Sequence, residues 1–350
     1  MKPVIHRKDA EKTRRKTEFR AYRPFVFPLL SCVLFCGCGR YADFTLPVLR
    51  GGDPDVRLVW SARPDPVLGR GEGWDSHDVL NPSVVRNKGL FNFYSGYDGH
   101  TWRTGVAVSE DGLRWEKHGM ALEPNPATWE GAYIAGNGSA LVYGGEYWYW
   151  YEGGAKDALE IGLARWRDLR GPSHRESGPV LERGPYMSWD EQDAADPYVI
   201  RLEPYFYMYY LGQDRARRQR IGVARSPDGI HWEKLRSNPV LDSGNNGAFD
   251  ADGLGEPAVW QYLGFYWMLY TGRDAAENRR LGMARSTDGV RWQKLTVVSG
   301  GDQPWNSRVM CDPTVLVEGD VIRVWFGGGD VASPDENLHG QIGYGVLKAK

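Results

Sequence analysis

One phrase is written five times along this chain: an aromatic residue and an acid or amide, a short interval, a second acid or amide before proline, then an aromatic run. The copies read Trp74-Asp75 to Asn81-Pro82, Trp129-Glu130 to Asn137-Gly138, Trp189-Asp190 to Asp196-Pro197, Phe249-Asp250 to Glu256-Pro257 and Trp305-Asn306 to Asp312-Pro313. In four copies the aromatic stands eight residues before the proline; in the second it stands nine before the glycine that takes the proline's place. Repeats of this length, each too small to bury a core alone, point to radial stacking in a propeller. A propeller brings the same position of every copy around one axis. The varying residue there is Asn81, Asn137, Asp196, Glu256 and Asp312, so that ring is where chemistry is expected.

Each copy supplies the strands of a blade. Aromatic runs such as Tyr147-Trp148-Tyr149-Trp150-Tyr151 and Phe265-Tyr266-Trp267-Met268-Leu269-Tyr270 read as strands buried between neighbouring sheets. Each run breaks at glycine, and a third strand follows, as in Ile221-Gly222-Val223-Ala224. Next comes Ser-x-Asp-Gly-x-x-Trp, at Ser109 to Trp115, Ser226 to Trp232 and Ser286 to Trp292. Asp-Gly between two strand patterns is a hairpin signal, so these aspartates are assigned to turns. The last copy lacks the Pro-Val-Leu phrase that ends others, and Val56 to Trp60 with Pro66-Val67-Leu68 supplies it from the opposite end of the chain. The expected architecture is therefore all-β: a five-bladed propeller over 56–350, its ring closed by an N-terminal strand completing the last blade.

The segment before the repeats reads differently. Arg14, Arg15, Lys16, Arg20 and Arg23 precede the apolar run Pro24 to Gly37, as in a secretory signal, and the run is short for a permanent membrane span. Phe35-Cys36-Gly37-Cys38 resembles a bacterial lipobox, which implies cleavage before Cys38 and lipidation of its thiol. An ordinary cleaved signal is the alternative. Residues 1–37 are thus expected to be a signal, 38–55 a linker, and the mature protein an exported monomer of the periplasm or cell envelope, touching membrane only through a lipid on Cys38. Cys311 is the one cysteine beyond that segment, so no intramolecular disulfide forms there. A net charge of −2 gives no general pull toward nucleic acid, and the basic cluster Arg215 to Arg220 reads as a solvated loop.

Antiparallel blade strands place the ring residues beside the residues that follow the second-strand glycines, among them Asp98, Arg103, Lys156, Arg215, Arg273 and Asp274. Carboxylates, amides and cations in an aromatic-rich mouth suit a sugar, whose hydroxyls take paired hydrogen bonds and whose ring faces stack on indoles. The chain here resembles the five-bladed propeller glycoside hydrolases, the group that includes families 32, 43, 68, 117 and 130. The resemblance spans about residues 56–350, through the Asp/Glu-Pro strand starts, the aromatic strands and the Ser-x-Asp-Gly-x-x-Trp turns. It implies hydrolysis of a glycan without a redox cofactor, through two carboxylic residues and a third that tunes them, on first strands of successive blades. The first two positions here are Asn81 and Asn137, which carry no exchangeable acid proton. This departure leaves two ways to keep an enzyme: the preferred one shifts the apparatus to Asp196, Glu256 and Asp312, with Glu256 as general acid because its longer side chain reaches a leaving-group oxygen, and the other recruits Asp78 and Asp193, each four residues before the proline of its copy, with His77 nearby. Substrate contacts are expected from Asn81, Asn137, Asp78, His77, Asp193, Arg273 and Asp274. Alternatives stay open: acids that cap strand starts and bind backbone amides across the channel would leave a carbohydrate-binding protein, and Lys156, Arg215 and Arg273 together would hold phosphate for phosphorolysis or an acidic sugar group. No metal ligand set is assigned, although the acidic ring would permit a structural Ca²⁺ on the axis.

Overall fold

The computed structural model describes residues 40–299 and 301–350. The expected signal and the lipidated Cys38 lie outside them. Among the described residues the regular secondary structure is all strand apart from one turn of 3-10 helix, Pro304–Asn306.

The pairing pattern repeats five times. Strands β3 (Asp78–Arg86), β4 (Leu90–Tyr97), β5 (Trp102–Ser109) and β6 (Glu116–Leu122) pair antiparallel in chain order. The same order holds for β7 (Ile134–Tyr143), β8 (Glu146–Ala155), β9 (Ala158–Trp166) and β10 (His174–Arg175). It holds again for β11 (Asp193–Leu202), β12 (Tyr205–Gln213), β13 (Gln219–Ser226) and β14 (Glu233–Leu235). The fourth set is β15 (Gly253–Tyr262), β16 (Phe265–Arg273), β17 (Arg279–Ser286) and β18 (Gln293–Ser299). The fifth begins with β19 (Val309–Glu318), β20 (Val321–Gly329) and β21 (Gln341–Ala349), and its outer strand is β2 (Leu58–Ala62), antiparallel to β21. Leu68 bridges Ile342 just as Leu181 bridges Ile161 and Leu241 bridges Ile221, so the Pro-Val-Leu phrase does the same work in three units.

Part of the segment expected as a linker, among its described residues from 40 on, packs against the repeats. Strand β1 (Tyr41–Ala42) runs parallel to β14, Leu46 is fully buried against the third and fourth units, and the Leu49 amide donates to the Thr287 carbonyl.

The repeated aromatic-acid pair is a clasp. Its aromatic lies over the glycines of the second and third strands: a Cβ on Gly105 would stand 2.4 Å from Trp74, and one on Gly222 2.5 Å from Trp189. Its acid is buried and joins strands two and four. The Asp190 carboxylate accepts from Tyr210 at 3.0 Å and Lys234 at 2.5 Å; Asp250 accepts from Tyr270 at 3.2 Å and Lys294 at 2.6 Å; Asp75 accepts from Tyr94 at 3.2 Å and Lys117 at 2.6 Å. Glu130 repeats this with Tyr151 and Arg175. In the fifth unit the tyrosine is Phe326, and the acid is correspondingly Asn306, whose amide oxygen takes the Gln303 amide at 3.0 Å. A carboxylate there would have had no donor from strand two, and burying an unmatched charge is costly.

The Ser-x-Asp-Gly-x-x-Trp turns close as expected, with the Asp111, Asp228 and Asp288 side chains each accepting two backbone amides. Their glycine carbonyls then receive donors from another unit: Trp325 to Gly112 at 2.8 Å, Trp150 to Gly229 at 2.9 Å and Tyr209 to Gly289 at 2.6 Å.

Candidate functional site

Every residue of the variable ring sits in a β-bulge. Register slips between Leu80 and Ser83, Gly136 and Ser139, Ala195 and Tyr198, Gly255 and Ala258, and Cys311 and Thr314. Within those slips Asn81, Asn137, Asp196, Glu256 and Asp312 all hold positive φ, between 45° and 51°. Such a conformation costs about 1–3 kcal/mol for a residue with a Cβ, and a bulge turns its side chain out of the strand's alternation. The proline that follows has no amide proton to lose from the ladder, which is why the phrase carries it. Gly138 replaces it where a Cβ would lie 2.3 Å from the Trp150 carbonyl, and its free amide donates to the Tyr149 hydroxyl at 3.0 Å.

The amides in this strained turn are met by side chains of another unit. Asn137 donates to Ser95 Oγ at 2.8 Å, Asp196 to Glu152 Oε1 at 2.5 Å, and Asp312 to Thr271 Oγ1 at 3.2 Å and Glu256 Oε2 at 3.1 Å. Ser95, Glu152 and Thr271 occupy one repeat position, the residue before the second-strand glycine. In the fifth unit that residue is Gly327, where a Cβ would stand 2.7 Å from Asp312 Oδ2; the space lets Asp312 accept the Asn81 amide itself, at 3.1 Å. Two ring acids thus bind backbone amides of another unit, Asp312 that of Asn81 and Glu256 that of Asp312.

Five of the ring side chains, with Asp193 and Arg273, line one open-mouthed cavity together with Glu152, Lys156, Arg217 and Arg279. Its carboxyls form two linked pairs. Burial, then the neighbouring Glu152 and Glu256 charges, hold the Asp196 carboxyl well above its usual range; burial likewise lifts Glu152 to about 7. Burial and the adjacent Glu256 hold Asp312 well above the usual range as well. The only guanidinium buried against these acids among the described residues is Arg279, 3.9 Å from the Glu256 carboxylate and donating to the Pro334 carbonyl. Asp312 is buried, whereas Asp196 and Glu256 are part-exposed, so these two are the members of their pairs that face the mouth.

Three expected contacts are not brought to this cavity. Asp78 is fully buried, its carboxylate accepting the Asn337 amide at 2.6 Å and the Gly340 amide at 2.7 Å. Asp274 closes its own turn on the Ala276 and Asn278 amides, each at 2.9 Å. His77 packs edge-on to Tyr97 with ring centroids 6.2 Å apart. Asp193 lines the cavity but is already engaged by the Leu159 amide at 2.8 Å and Gln213 at 2.7 Å. Of the cations expected to hold an anion, Lys156 and Arg273 line the cavity and Arg215 does not, and each already has a carboxylate partner: Lys156 pairs with Asp335 and Glu336, Arg215 with Glu191, and Arg273 with Glu277.

Glu152 and Arg279 were not singled out in the sequence. The signal for Glu152 was present: an ionisable residue ending the otherwise aromatic run Tyr147 to Tyr151, directly before glycine. Arg279 opens β17 among several arginines, and nothing local marks it.

For a cation, Glu256, Cys311 and Asp312 present ligand atoms within 4.8 Å of one another. Two carboxylates and a thiol whose proton is held by burial do not make the oxygen shell of six to eight ligands that Ca²⁺ takes, so the axial Ca²⁺ that the acidic ring would permit finds a poor fit in this cluster, and no step below runs through a metal.

Residues 90–311 match the family model described as Glycosyl hydrolases family 32 N-terminal domain. Two Mycobacterium tuberculosis proteins, Uncharacterized protein MT1551 (strain CDC 1551 / Oshkosh) and Uncharacterized protein Rv1502 (strain ATCC 25618 / H37Rv), are 28% identical over 197 residues, which is 52% of this chain and 61% of theirs. The chain thus spans less than two thirds of the length of these curated relatives. Among solved structures, one described as Glycoside hydrolase superposes with a TM-score of 0.67 at 19% identity, covering 81% of this chain and 92% of its own. Zg3597, a family 117 glycoside hydrolase of Zobellia galactanivorans, gives a TM-score of 0.63 at 17% identity, covering 83% and 90%. A structure from the GH130 family of mannoside phosphorylases, reported to contain glycoside hydrolases that target beta-1,2 mannosidic linkages in Candida mannan, gives 0.62 at 16% identity, covering 87% and 96%. The shared fold is the β-propeller of the glycoside hydrolases.

Proposed function

Because the chain belongs to the glycosyl hydrolases family 32 N-terminal domain family, we propose that it is an O-glycosyl hydrolase that cleaves a poly- or oligosaccharide by carboxylate acid/base catalysis. The observation that carries this reading is the two linked carboxyl pairs, Glu152 with Asp196 and Glu256 with Asp312, all four lining the same cavity. A carboxyl kept protonated by burial is what protonation of a leaving group near neutral pH needs. Glu256, the longer mouth-facing side chain, delivers the proton its pair holds to the glycosidic oxygen as the C–O bond breaks. Asp196 faces the anomeric carbon, where its pair with Glu152, once singly ionised, takes a proton from the water whose hydroxyl ends there.

We read the five antiparallel sets as five blades, with β2 closing the ring on β21. The basic stretch, apolar run and Cys38 support an exported lipoprotein of the cell envelope. Phosphorolysis gains nothing from the arrangement, since Lys156, Arg215 and Arg273 are each matched by a carboxylate. A carbohydrate-binding protein without turnover is the second reading, favoured by Asn81 and Asn137 at ring positions where a carboxyl was expected.

The test is sugar release, followed by mass spectrometry, from a panel of plant, microbial and host glycans by a soluble form beginning after Cys38. Release that falls by about 10²–10⁴ in Glu256→Gln and in Asp196→Asn is expected of acid/base residues. The acid is told apart by its leaving group: Glu256→Gln should lose far less on aryl glycosides whose phenolate departs unaided. Binding without release from any glycan would establish the second reading instead.

A further inference from the structure

The loop between β20 and β21, residues 330–340, crosses the mouth and is pinned at four places. Leu338 is fully buried in an apolar cluster with Leu80, Trp102 and Ile134 of the first two units. The Asp78 carboxylate of the first unit takes the Asn337 and Gly340 amides at 2.6 and 2.7 Å. Lys156 of the second unit reaches Asp335 at 3.0 Å and Glu336 at 2.9 Å, and the Tyr133 hydroxyl donates to Glu336 at 3.2 Å. Arg279 of the fourth unit donates to the Pro334 and Ser333 carbonyls from beside Glu256. Pro334 and Asp335 thereby become cavity wall. On the neighbouring rim Arg217 of the third unit pairs with Asp157 of the second at 3.0 Å, and both line the same cavity.

We infer that this strap makes the cavity a pocket for the end of a glycan chain, so that the protein removes terminal residues and does not cut mid-chain. A polymer held across the mouth needs an open groove on both sides of the reacting bond. Here the side over the first unit is occupied by backbone that is hydrogen-bonded to a buried carboxylate and anchored by a buried leucine. A wall tied in that manner is part of the fold rather than a surface loop to be pushed aside. The inference rests on the hydrolase reading and adds the mode of action to it.

The experiment follows product size and solution viscosity together while the mature protein digests whichever polysaccharides of the panel release sugar. One small product of constant size from the first minutes, with viscosity nearly unchanged, is the expected result. A ladder of mixed sizes with early collapse of viscosity overturns the terminal-pocket inference and leaves the hydrolase reading standing. No release from any glycan overturns both. A readout independent of turnover tests the wall itself: in Asp78→Asn, which weakens a charge-assisted acceptor of two amides, hydrogen exchange across 331–340 should quicken about tenfold or more while exchange in β8 and β12 stays unchanged. Exchange already fast in the parent chain, or unaltered in the variant, would show that the strap is no fixed wall and overturn the inference.

Discussion

At the scale of single residues the site is decided by which carboxyls keep their protons. Glu152 is 2% exposed, and its carboxyl is lifted from an ordinary 4.5 to about 7, chiefly by burial, against the pull of its hydrogen bonds to Asp196. A carboxyl raised in the fold favours the folded state fully below its unfolded value, and that advantage drains away as pH climbs through the folded value. The window is therefore about pH 4.5 to 7, and the ceiling, at 1.36 kcal/mol per unit, is about 3 kcal/mol. Glu152→Gln has no such titration, so the stability of the parent minus that of the variant should fall across this window and level off above it. Thermal melts from pH 4.5 to 8 check this, and a difference that stays constant would remove Glu152 from the proton-holding pair. The ring itself, Asn81 to Asp312, was legible in the sequence because every member precedes a proline or its glycine substitute. Glu152 was hidden because its meaning lies in a contact with the next unit, 44 residues away, and not in any spacing along its own strand.

Single strands and units owe their cohesion to the clasp, and there the sequence was half legible. The aromatic-acid pairs announced the repeat, but their acids proved to be structural ties, one turn of chain away from the residues that face the cavity. The ties differ in burial. Lys234 and Asp190 are 6% and 1% exposed in their side chains, whereas Lys117, paired with Asp75, is 27% exposed. Leaving a buried lysine without its carboxylate costs about 3–5 kcal/mol, and far less when water reaches the ammonium. Asp190→Asn should therefore destabilise the protein by several kcal/mol in urea denaturation, and Asp75→Asn by clearly less. Equal losses would mean that the tyrosine bonds, common to both, carry the clasp. The fifth unit shows the same logic by omission, since Asn306 and Phe326 drop charge and hydroxyl together.

For the whole molecule the question is what keeps five similar sets of strands together. The first, second and fourth sets take all their strands from one stretch of chain, the third gains β1 beside its own four, and the fifth borrows its outer strand β2 from the other end, a pairing foreseen from the missing Pro-Val-Leu phrase. The strap was not foreseeable in that way: Lys156 and Glu336 stand 180 residues apart, and neither belongs to the repeat. The junction has the larger consequence for stability. Leu58 and Trp60 pack with Leu347 and Ile322, and Trp60 also lies edge-on to Phe326 at 5.7 Å. Trimming the chain to begin at residue 70 would strip these contacts and leave β21 as an open edge. Losing a large buried aromatic costs about 3–5 kcal/mol, and losing the half-buried Trp60 together with its packed neighbours costs a good part of that, a large share of what holds a typical protein folded. An exposed strand edge then invites pairing between molecules. The trimmed protein is expected to melt well below the full chain and to run as oligomers in size-exclusion chromatography, and adding a peptide spanning residues 56–68 should recover part of the loss. A monomer of unchanged melting temperature would mean that the strands from β3 to β21 hold their ring without the borrowed one, and that the closure read from the sequence adds nothing to the fold.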